Sequence, residues 1–477
     1  MNNITPNILL IVADQWRGDC LGFMGHPAVQ TPNLDRIFAR SISFTQAYSA
    51  VPSCIAARAA LLTGLSQKTH GRIGYMDGIT WNYQNTLPGL LAQAGYHTHC
   101  AGKMHVHPAR NLLGFHSVDL HDGYLHFERK QNKNYSLADD YLQWFREKAG
   151  FDADLTDAGV GCNGYSVHPW PYEERFHPTN WVTTKSIDFL RRRDPGKPFF
   201  LKVSYHRPHP PLDPPQSFLD QYLGMNIPDP VTAPWSEHDQ LQDRGYDCPV
   251  PAAKDQITLA RKAYYAQISH IDNQINRLTH ALIEFGVWDN TIIVFTSDHG
   301  DMLYDHNRVA KSLPYNGSAR IPLLFRIPEN SGIDKAMRPQ EPVELRDLLP
   351  TLLDYAGIPI PHRIEGMSLK PVIEGKISGW REYLHGEHAS GVHSNHWITN
   401  GRDMYVWYSQ TGKEQLFDLT ADPYNRNDLF SANPERVKKW RDVLIRELSG
   451  REEGYTANGK LITGRQPWSI RPFLEKK

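Results

Sequence analysis

Continuous apolar runs alternate with amphipathic stretches along most of the chain. The runs Ile8–Ala13 and Thr291–Thr296 have the length and composition of strands that are buried on both faces of a parallel sheet. Between them, Ala260–Phe285 places apolar residues at alternating spacings of four and three, and Gly286 follows, which predicts an amphipathic helix. This order of elements predicts an α/β fold with strands side by side in one sheet.

Three shorter segments extend the same alternation. Leu87–Ala94 has a helical pattern that Gly95 ends, and His97–Gly102 is the next candidate strand. A clearer strand, FFLKVSY, follows Pro198. We therefore expect repeated strand–helix units over the first part of the chain.

The pattern changes after a segment rich in Pro, Gly and polar residues at Pro359–Gly379. The stretches HWITNGRDMYVWY and EQLFDLTADP that follow it are typical of short antiparallel strands. A chain of 477 residues is also longer than a single core of roughly 250–300 residues. We predict two domains, a large one over residues 1–375 and a smaller C-terminal one over residues 376–477.

Charge and composition narrow the classes of partner. With 51 Lys and Arg against 52 Asp and Glu, the net charge of −1 provides no overall field for nucleic acid or an anionic membrane. No segment reaches the ~20 apolar residues of a membrane span, and the N-terminus lacks the features of a signal peptide. The five cysteines form no CxxC pair. We expect a soluble, cytoplasmic protein without nucleic-acid or membrane partners; the oligomeric state stays open.

Polar residues follow the two clearest strands. Asp14 comes directly after Ile8–Ala13, and Asp298 and His299 lie just past Thr291–Thr296. Ligands of doubly wound sheets bind in the crevice outside the carboxyl ends of the strands. Although they are far apart in sequence, these side chains are therefore expected to face one crevice.

The segment VPSCIAARAALLTG contains a Ser-Cys pair and Arg58 within small, apolar residues. A free cysteine such as Cys54 is more often a packed thiol than a reactive group. Taken singly, Asp14 could cap a helix, Arg58 could form a structural ion pair, and Lys103 or Lys311 could be solvated. Their combined placement favours a functional site.

These motifs resemble type I sulfatases of the alkaline phosphatase-like superfamily. CIAAR followed by LLTG is similar to the family's maturation and active-site signature, in which the cysteine is oxidised to formylglycine. The resemblance implies a large, mixed, mostly parallel sheet sandwiched by helices, with a smaller C-terminal α+β domain. The other similar motifs, in family order, are NILLIVADQWRGD with TPNLDRI, GKMH at Gly102, RPHPPL at Arg207, TSDHGD at Thr296, RIPLLFR at Arg320, and LFDLTADP.

The resemblance implies hydrolysis of small-molecule or saccharide sulfate monoesters. A thiol is poorly suited to this reaction, whereas formylglycine hydrates to a geminal diol. One hydroxyl of the diol attacks sulfur, and deprotonation of the other expels sulfate and regenerates the aldehyde. Cys54 is then a precursor of 3-oxoalanine (formylglycine), and a formylglycine-generating enzyme is an implied partner.

The resemblance also implies a divalent metal, held by Asp14, Asp298 and His299 together with residue 54. Mostly oxygen ligands favour Ca²⁺, while the imidazole of His299 leaves Mn²⁺ or Mg²⁺ open. Many relatives have two adjacent aspartates where this chain has Ala13 and Asp14. The substitution removes one oxygen ligand of the expected calcium site.

Five further residues take catalytic roles by the same resemblance. Arg58, one helical turn after residue 54, is expected to hold the diol or its oxyanion. Lys103 and Lys311 are expected to contact the sulfate. His105 is expected to assist the elimination step, and His209 to bind sulfate or to protonate the leaving group.

Two alternatives differ from this interpretation. A phosphonate monoester or phosphodiester hydrolase shares formylglycine and the DQWR, RPHPP and SDHG motifs, but has Tyr and Thr at the positions of Lys103 and His105. A catalytically inactive sulfoglycan-binding protein has no need of a convertible cysteine. We therefore expect a sulfatase, and the natural substrate is not readable from the sequence.

Overall fold

A seven-stranded sheet organises the large part of the chain. The computed structural model describes residues 5–124, 135–236, 253–328, 336–377 and 379–475. The strands of the whole described chain, in this sheet and in the smaller ones, are β1 (Asn7–Asp14), β2 (Ile42–Ser43), β3 (Ala47–Tyr48), β4 (His97–Gly102), β5 (Ser117–Leu120), β6 (Phe199–Pro208), β7 (Thr291–Ser297), β8 (Leu323–Arg326), β9 (Val343–Glu344), β10 (Leu384–His388), β11 (Asn395–Thr399), β12 (Asp403–Tyr408), β13 (Glu414–Asp418), β14 (Thr456–Ala457) and β15 (Lys460–Leu461).

The order of strands in this sheet is β2-β8-β7-β1-β6-β4-β5. The five strands from β7 to β5 run parallel, whereas β8 is antiparallel to β7 and β2 is antiparallel to β8. Strand β1 lies between β7 and β6, and all eight of its residues are buried. The predicted mixed, mostly parallel sheet is confirmed.

Helices pack against both faces of the sheet. Alternate residues of β1 enter two separate apolar clusters, with Leu9 and Ile11 in one and Ile8 and Leu10 in the other, because side chains of a strand point to opposite faces. The helices are α1 (Pro32–Phe38), α2 (Cys54–Thr63), α3 (Gln67–His70), α4 (Leu87–Gln93), α5 (Tyr141–Ala149), α6 (Pro178–Arg192), α7 (Gln216–Leu223), α8 (Lys254–Glu284), α9 (Asn316–Ala319), α10 (Leu348–Tyr355), α11 (Lys370–Ile373), α12 (Pro434–Leu448) and α13 (Pro472–Glu475).

The longest helix of the described residues, α8, contains the predicted apolar stripe. It begins six residues before the predicted start at Ala260 and ends one residue before Phe285. Its apolar residues, among them Ile268 and Ile275, join the Leu9 cluster, whereas α2, α4, α10 and α11 contribute to the cluster on the other face. Among the described residues, no helix is both long and apolar enough to cross a membrane.

A second sheet follows in the C-terminal part, with the antiparallel order β10-β11-β12-β13. Trp440 of α12 packs in an apolar cluster on one face of this sheet. Trp397 and Met404 lie in another cluster, together with Met302 and Tyr48 of the large part. The short antiparallel strands are as predicted, and the domain boundary near residue 375 stays a prediction.

One of the five cysteines, Cys248, lies outside the described residues. The other cysteines, Cys20, Cys54, Cys100 and Cys162, are free and buried. Within the described part, the cysteines therefore contribute no disulfide to the fold.

Candidate active site

The ends of two adjacent strands bring two carboxylates together. Asp14 is the last residue of β1, and Asp298 follows β7 directly. Because β1 and β7 are parallel neighbours with Ala13 opposite Ser297, the two side chains emerge at the same edge of the sheet. Both are fully buried. This arrangement agrees with the crevice predicted at the strand ends.

Helix α2 places Cys54 next to these carboxylates. Cys54 is the first residue of the helix, and Gly64 in the left-handed conformation follows its last residue. Every residue of α2 is buried, because its alanines allow close packing on all sides of the helix. Helix geometry places Arg58 on the same face as Cys54, one turn further along.

The Sγ atom of Cys54 lies within a set of polar groups. It is 3.1 Å from Nε2 of His299, 3.4 Å from Nζ of Lys311 and 3.7 Å from Oδ1 of Asp14. Nδ1 of His299 donates to the carbonyl of Gly300 at 3.0 Å, so Nε2 is the nitrogen that faces Cys54. In the neutral imidazole this arrangement leaves Nε2 able to ligate a metal.

Arg58 holds the two carboxylates in place. Its Nη2 donates to Oδ2 of Asp14 at 3.3 Å, and its Nε donates to Oδ2 of Asp298 at 3.1 Å. Its Nη1 donates to the Lys103 carbonyl and to the Ser204 hydroxyl, at 3.0 and 2.9 Å. The guanidinium thus connects the end of β1, the residue after β7 and Ser204 within β6 with the residue after β4.

Two lysines reach the site from different loops. Nζ of Lys103, the residue after β4, contacts Oδ2 of Asp14 and donates to the Tyr124 hydroxyl at 2.8 Å. Nζ of Lys311 donates to Oε1 of Gln15 at 2.8 Å, in addition to its contact with Cys54. Arg58, Lys103 and Lys311 thus bring three positive charges to Asp14, Asp298 and the Cys54 thiol.

The electrostatics of the two carboxylates differ. Burial would raise the pKa of Asp14, but Lys103 and Arg58 outweigh it and hold that pKa well below its ordinary value. Burial and the charge of Asp14 raise the pKa of Asp298. Burial and Asp14 also oppose ionisation of Cys54, yet Lys103 and Lys311 outweigh them and hold its thiol pKa well below the usual range. Asp298 is therefore the less compensated carboxylate of the pair.

A divalent cation fits this arrangement. One donor atom from each of Asp14, Cys54, Asp298 and His299 lies within 4.8 Å of the others, and all four residues are buried. Two carboxylates and an imidazole are suitable ligands for a divalent ion. A cation among them would compensate the buried charge of Asp298, which the protein's own side chains leave under-compensated.

The two predicted catalytic histidines both contact Tyr124. Nδ1 of His209 donates to the Pro210 carbonyl at 2.8 Å, and its Nε2 is 3.2 Å from the Tyr124 hydroxyl. The ring of His105 lies 5.0 Å from that of Tyr124 and 6.0 Å from that of Tyr75. His209 therefore contacts the group around Cys54 through one hydroxyl, and His105 borders it through ring contacts.

Sequence reasoning missed two residues of the site, Tyr124 and Gln15. The Tyr124 hydroxyl lies between Lys103, His209 and, at 3.7 Å, Sγ of Cys54. Gln15 adjoins Asp14 in the quoted NILLIVADQWRGD motif, so its position was a usable signal. Tyr124 follows no strand of the predicted set, and no spacing connects it with Cys54.

Comparisons with known proteins identify the family of the chain. The profile of the sulfatase family matches residues 6–358, and that of the N-sulphoglucosamine sulphohydrolase C-terminal region matches residues 304–451. An arylsulfatase from Clostridium perfringens (strain 13 / Type A) is 51% identical over 469 residues, which cover 96% of this chain and 98% of the relative.

Two solved structures share the fold. The structure of BT4656 in complex with its substrate D-glucosamine-2-N,6-O-disulfate has a TM-score of 0.75 at 23% identity and covers 93% of this chain and 98% of that chain. The phosphonate monoester hydrolase of Agrobacterium radiobacter has a TM-score of 0.74 at 24% identity, with coverages of 98% and 100%. From the family match over most of its length and the identity to an arylsulfatase, this chain belongs to the sulfatase family and is a sulfuric ester hydrolase.

Proposed function

We propose that the protein hydrolyses sulfate monoesters with formylglycine, made from Cys54, as its nucleophile. The observation that carries the proposal is the position of Cys54, buried at the first turn of α2 within 3.7 Å of His299, Lys311 and Asp14. Conversion to formylglycine supplies a hydrated aldehyde, one hydroxyl of which attacks sulfur. The N-terminus of a helix favours the negative charge that develops at this position.

Asp14, Asp298 and His299 would hold a divalent cation together with residue 54. Ca²⁺ is the proposed ion, with Mn²⁺ or Mg²⁺ as alternatives that the His299 imidazole admits. When bound, the ion polarises the sulfate ester and lowers the pKa of the attacking hydroxyl. Arg58 keeps the two carboxylates in position, and a role in holding the diol is part of the proposal.

Lys103 and Lys311 bind the sulfuryl oxygens in this proposal. The ammonium group of Lys103 contacts Asp14 and Tyr124, and that of Lys311 contacts Gln15, so both lie close to Cys54. Charge-assisted hydrogen bonds from two cations stabilise the charge on the oxygens of a transferring sulfuryl group. Binding a monoanionic sulfate ester would place its negative charge beside these two cations.

The histidines border the same space and act on protons. Because Nδ1 of His209 donates to the Pro210 carbonyl, the ring must also carry a proton on Nε2, as an imidazolium, to bind sulfate or to protonate the departing alkoxide. His105, whose ring lies next to that of Tyr124, assists collapse of the diol. His105 and His209 are 5% and 1% exposed, so bulk water has little access to either proton.

The identity to an arylsulfatase supports a sulfate ester over a phosphonate ester. The shared fold does not separate the two, because one of the structural neighbours is a phosphonate monoester hydrolase. At the site, Lys103 and His105 are the residues that favour a sulfate ester over a phosphonate ester. We propose small-molecule or saccharide sulfate esters as substrates, and a formylglycine-generating enzyme as the maturation partner.

Asp298→Ala is expected to remove the catalytic metal, because it deletes the carboxylate that depends most on a bound cation. Metal content, measured on purified protein loaded with Ca²⁺ or Mn²⁺, should fall from about one ion per chain to none. Turnover should fall by about 10³-fold, equivalent to several kcal/mol of transition-state stabilisation. Asp289→Ala, at an exposed aspartate before β7, is the matched control. Full metal content and turnover in Asp298→Ala would refute the ligand assignment.

Arg58→Ala is expected to lower kcat/KM by about two to three orders of magnitude, the loss found when one preorganised donor is removed. The fraction of formylglycine must be measured in parallel, since Arg58 belongs to the maturation signature. The exposed Arg40 provides the control variant Arg40→Ala. A fully matured Arg58→Ala protein with a near wild-type rate would show that the guanidinium is dispensable.

Replacing Lys103 by Tyr and His105 by Thr tests the choice between sulfate and phosphate chemistry. The double variant removes up to two positive charges from the proposed sulfuryl-oxygen site, so sulfate monoester turnover should fall far more than phosphodiester turnover. The readout is the ratio of kcat/KM values for an aryl sulfate and an aryl phosphodiester, which cancels losses in maturation or folding. An unchanged ratio, or a wild-type preference for the diester, would favour the phosphonate hydrolase alternative.

A further inference from the structure

Strands β10 and β11 place three metal-ligating residue types on one face of a hairpin. His385 and Glu387 alternate along β10, and His396 lies directly opposite Glu387 in the antiparallel register. Residues two apart on a strand share a face, and directly opposed residues have Cβ atoms about 4.5–5.5 Å apart. Gly386 and Trp397 form the neighbouring opposed pair, so Trp397 faces the apolar cluster on the other side of the sheet.

The donor atoms of these three residues converge. Among the described residues they form one of two groups, the other being the Cys54 group, whose donor atoms lie within 4.8 Å of one another. Nδ1 of His396 is 3.5 Å from Oε2 of Glu387. A tetrahedral ion with bonds of about 2.1 Å needs donor atoms about 3.4 Å apart. The His396–Glu387 pair already has this spacing.

Two imidazole nitrogens in the group have no hydrogen-bond partner. Nδ1 of His396 and Nε2 of His385 are both buried and unpaired, and His396 is 3% exposed. Buried polar atoms are nearly always hydrogen-bonded, because leaving one unpaired costs about 1–3 kcal/mol. Two such nitrogens beside a buried carboxylate point to a ligand that accepts both lone pairs.

Burial disfavours the protonated form of both histidines: it lowers the pKa of His396 to about 3 and also lowers that of His385. Burial opposes ionisation of Glu387, but Arg451 outweighs it and keeps the carboxyl pKa low.

Arg451 orients Glu387 without using all of its acceptor capacity. Its Nη1 and Nη2 donate to the two carboxylate oxygens at 2.9 and 3.1 Å, and the guanidinium also pairs with Glu453. Each oxygen of a carboxylate has a second lone pair. The lone pairs that Arg451 leaves on Glu387 can therefore accept a further partner.

A cavity opens next to the group. It has a volume of about 370 Å³, and His385, Glu387 and Arg451 are among the residues that line it. An ion on the three donors would therefore have an entry path and space for a water molecule as a fourth ligand.

We propose that His385, Glu387 and His396 form a second metal site, distinct from the catalytic group and selective for Zn²⁺. Two imidazoles and one carboxylate match the ligand preference of Zn²⁺, whereas Ca²⁺ and Mg²⁺ prefer oxygen donors. The ion would link β10 to β11 through ligands from both strands, on the face of the sheet that α12 and Tyr455 cover.

The test measures Zn²⁺ in the full chain with the catalytic site disabled by Asp298→Ala. Equilibrium dialysis against Zn²⁺ followed by elemental analysis should find about one ion per chain in this background. Adding His396→Ala should abolish binding, whereas adding His362→Ala, at an exposed histidine, should leave it unchanged. No bound Zn²⁺ in the Asp298→Ala background, or equal binding after His396→Ala, would overturn the proposal.

A second variant covers the case in which His396→Ala fails to fold. His385 is only partly buried, so His385→Asn keeps a polar side chain and removes the imidazole ligand with less disturbance of the packing. Zn²⁺ should raise the Tm of the Asp298→Ala protein, because an ion that binds only the folded state stabilises it. The same addition should leave the Tm of Asp298→Ala/His385→Asn unchanged. An equal rise in both proteins would contradict the proposed ligand set.

Discussion

Two carboxylates buried at the ends of adjacent parallel strands are the constraint on which the site depends. Asp14 and Asp298 have no exposed surface, and a buried charge is costly unless it is paired and hydrogen-bonded. Arg58 donates to both, and Lys103 contacts one of them. Because Arg58 lies on α2 and Lys103 follows β4, satisfying these charges fixes where α2 and the β4 end must lie. The position of Cys54 follows from that of α2.

The same constraint explains the composition of VPSCIAARAALLTG. A helix that carries a cysteine and an arginine into the interior must be buried all round, and small side chains let neighbouring elements approach it closely. Arg58 is 1% exposed, so all of its donors must be satisfied inside the protein. Carboxylates, a carbonyl and a hydroxyl from four chain segments meet this need.

Strand-end residues were predictable because a buried parallel strand is a local, continuous apolar signal. Asp14 and Asp298 follow such runs, and the doubly wound sheet brings its strand ends to one edge. Tyr124 and the His385, Glu387 and His396 group gave no comparable signal. Tyr124 and Cys54 come into contact only in the folded protein, and no sequence pattern connects them. Strand β10 is short and polar, so periodicity did not predict its pairing with β11. The contacts among His385, Glu387 and His396 depend on the register between two strands, and a single sequence does not reveal that register.

The central claim, that formylglycine at position 54 performs the reaction, is tested most directly by relating turnover to the extent of conversion. Preparations with different formylglycine fractions can be made by varying co-expression of a maturation enzyme, and the fraction is read from the tryptic peptide containing residue 54 after hydrazide labelling. The account predicts that turnover of an aryl sulfate rises in proportion to this fraction and extrapolates to zero without it. Full turnover in protein that carries only the Cys54 thiol would contradict it.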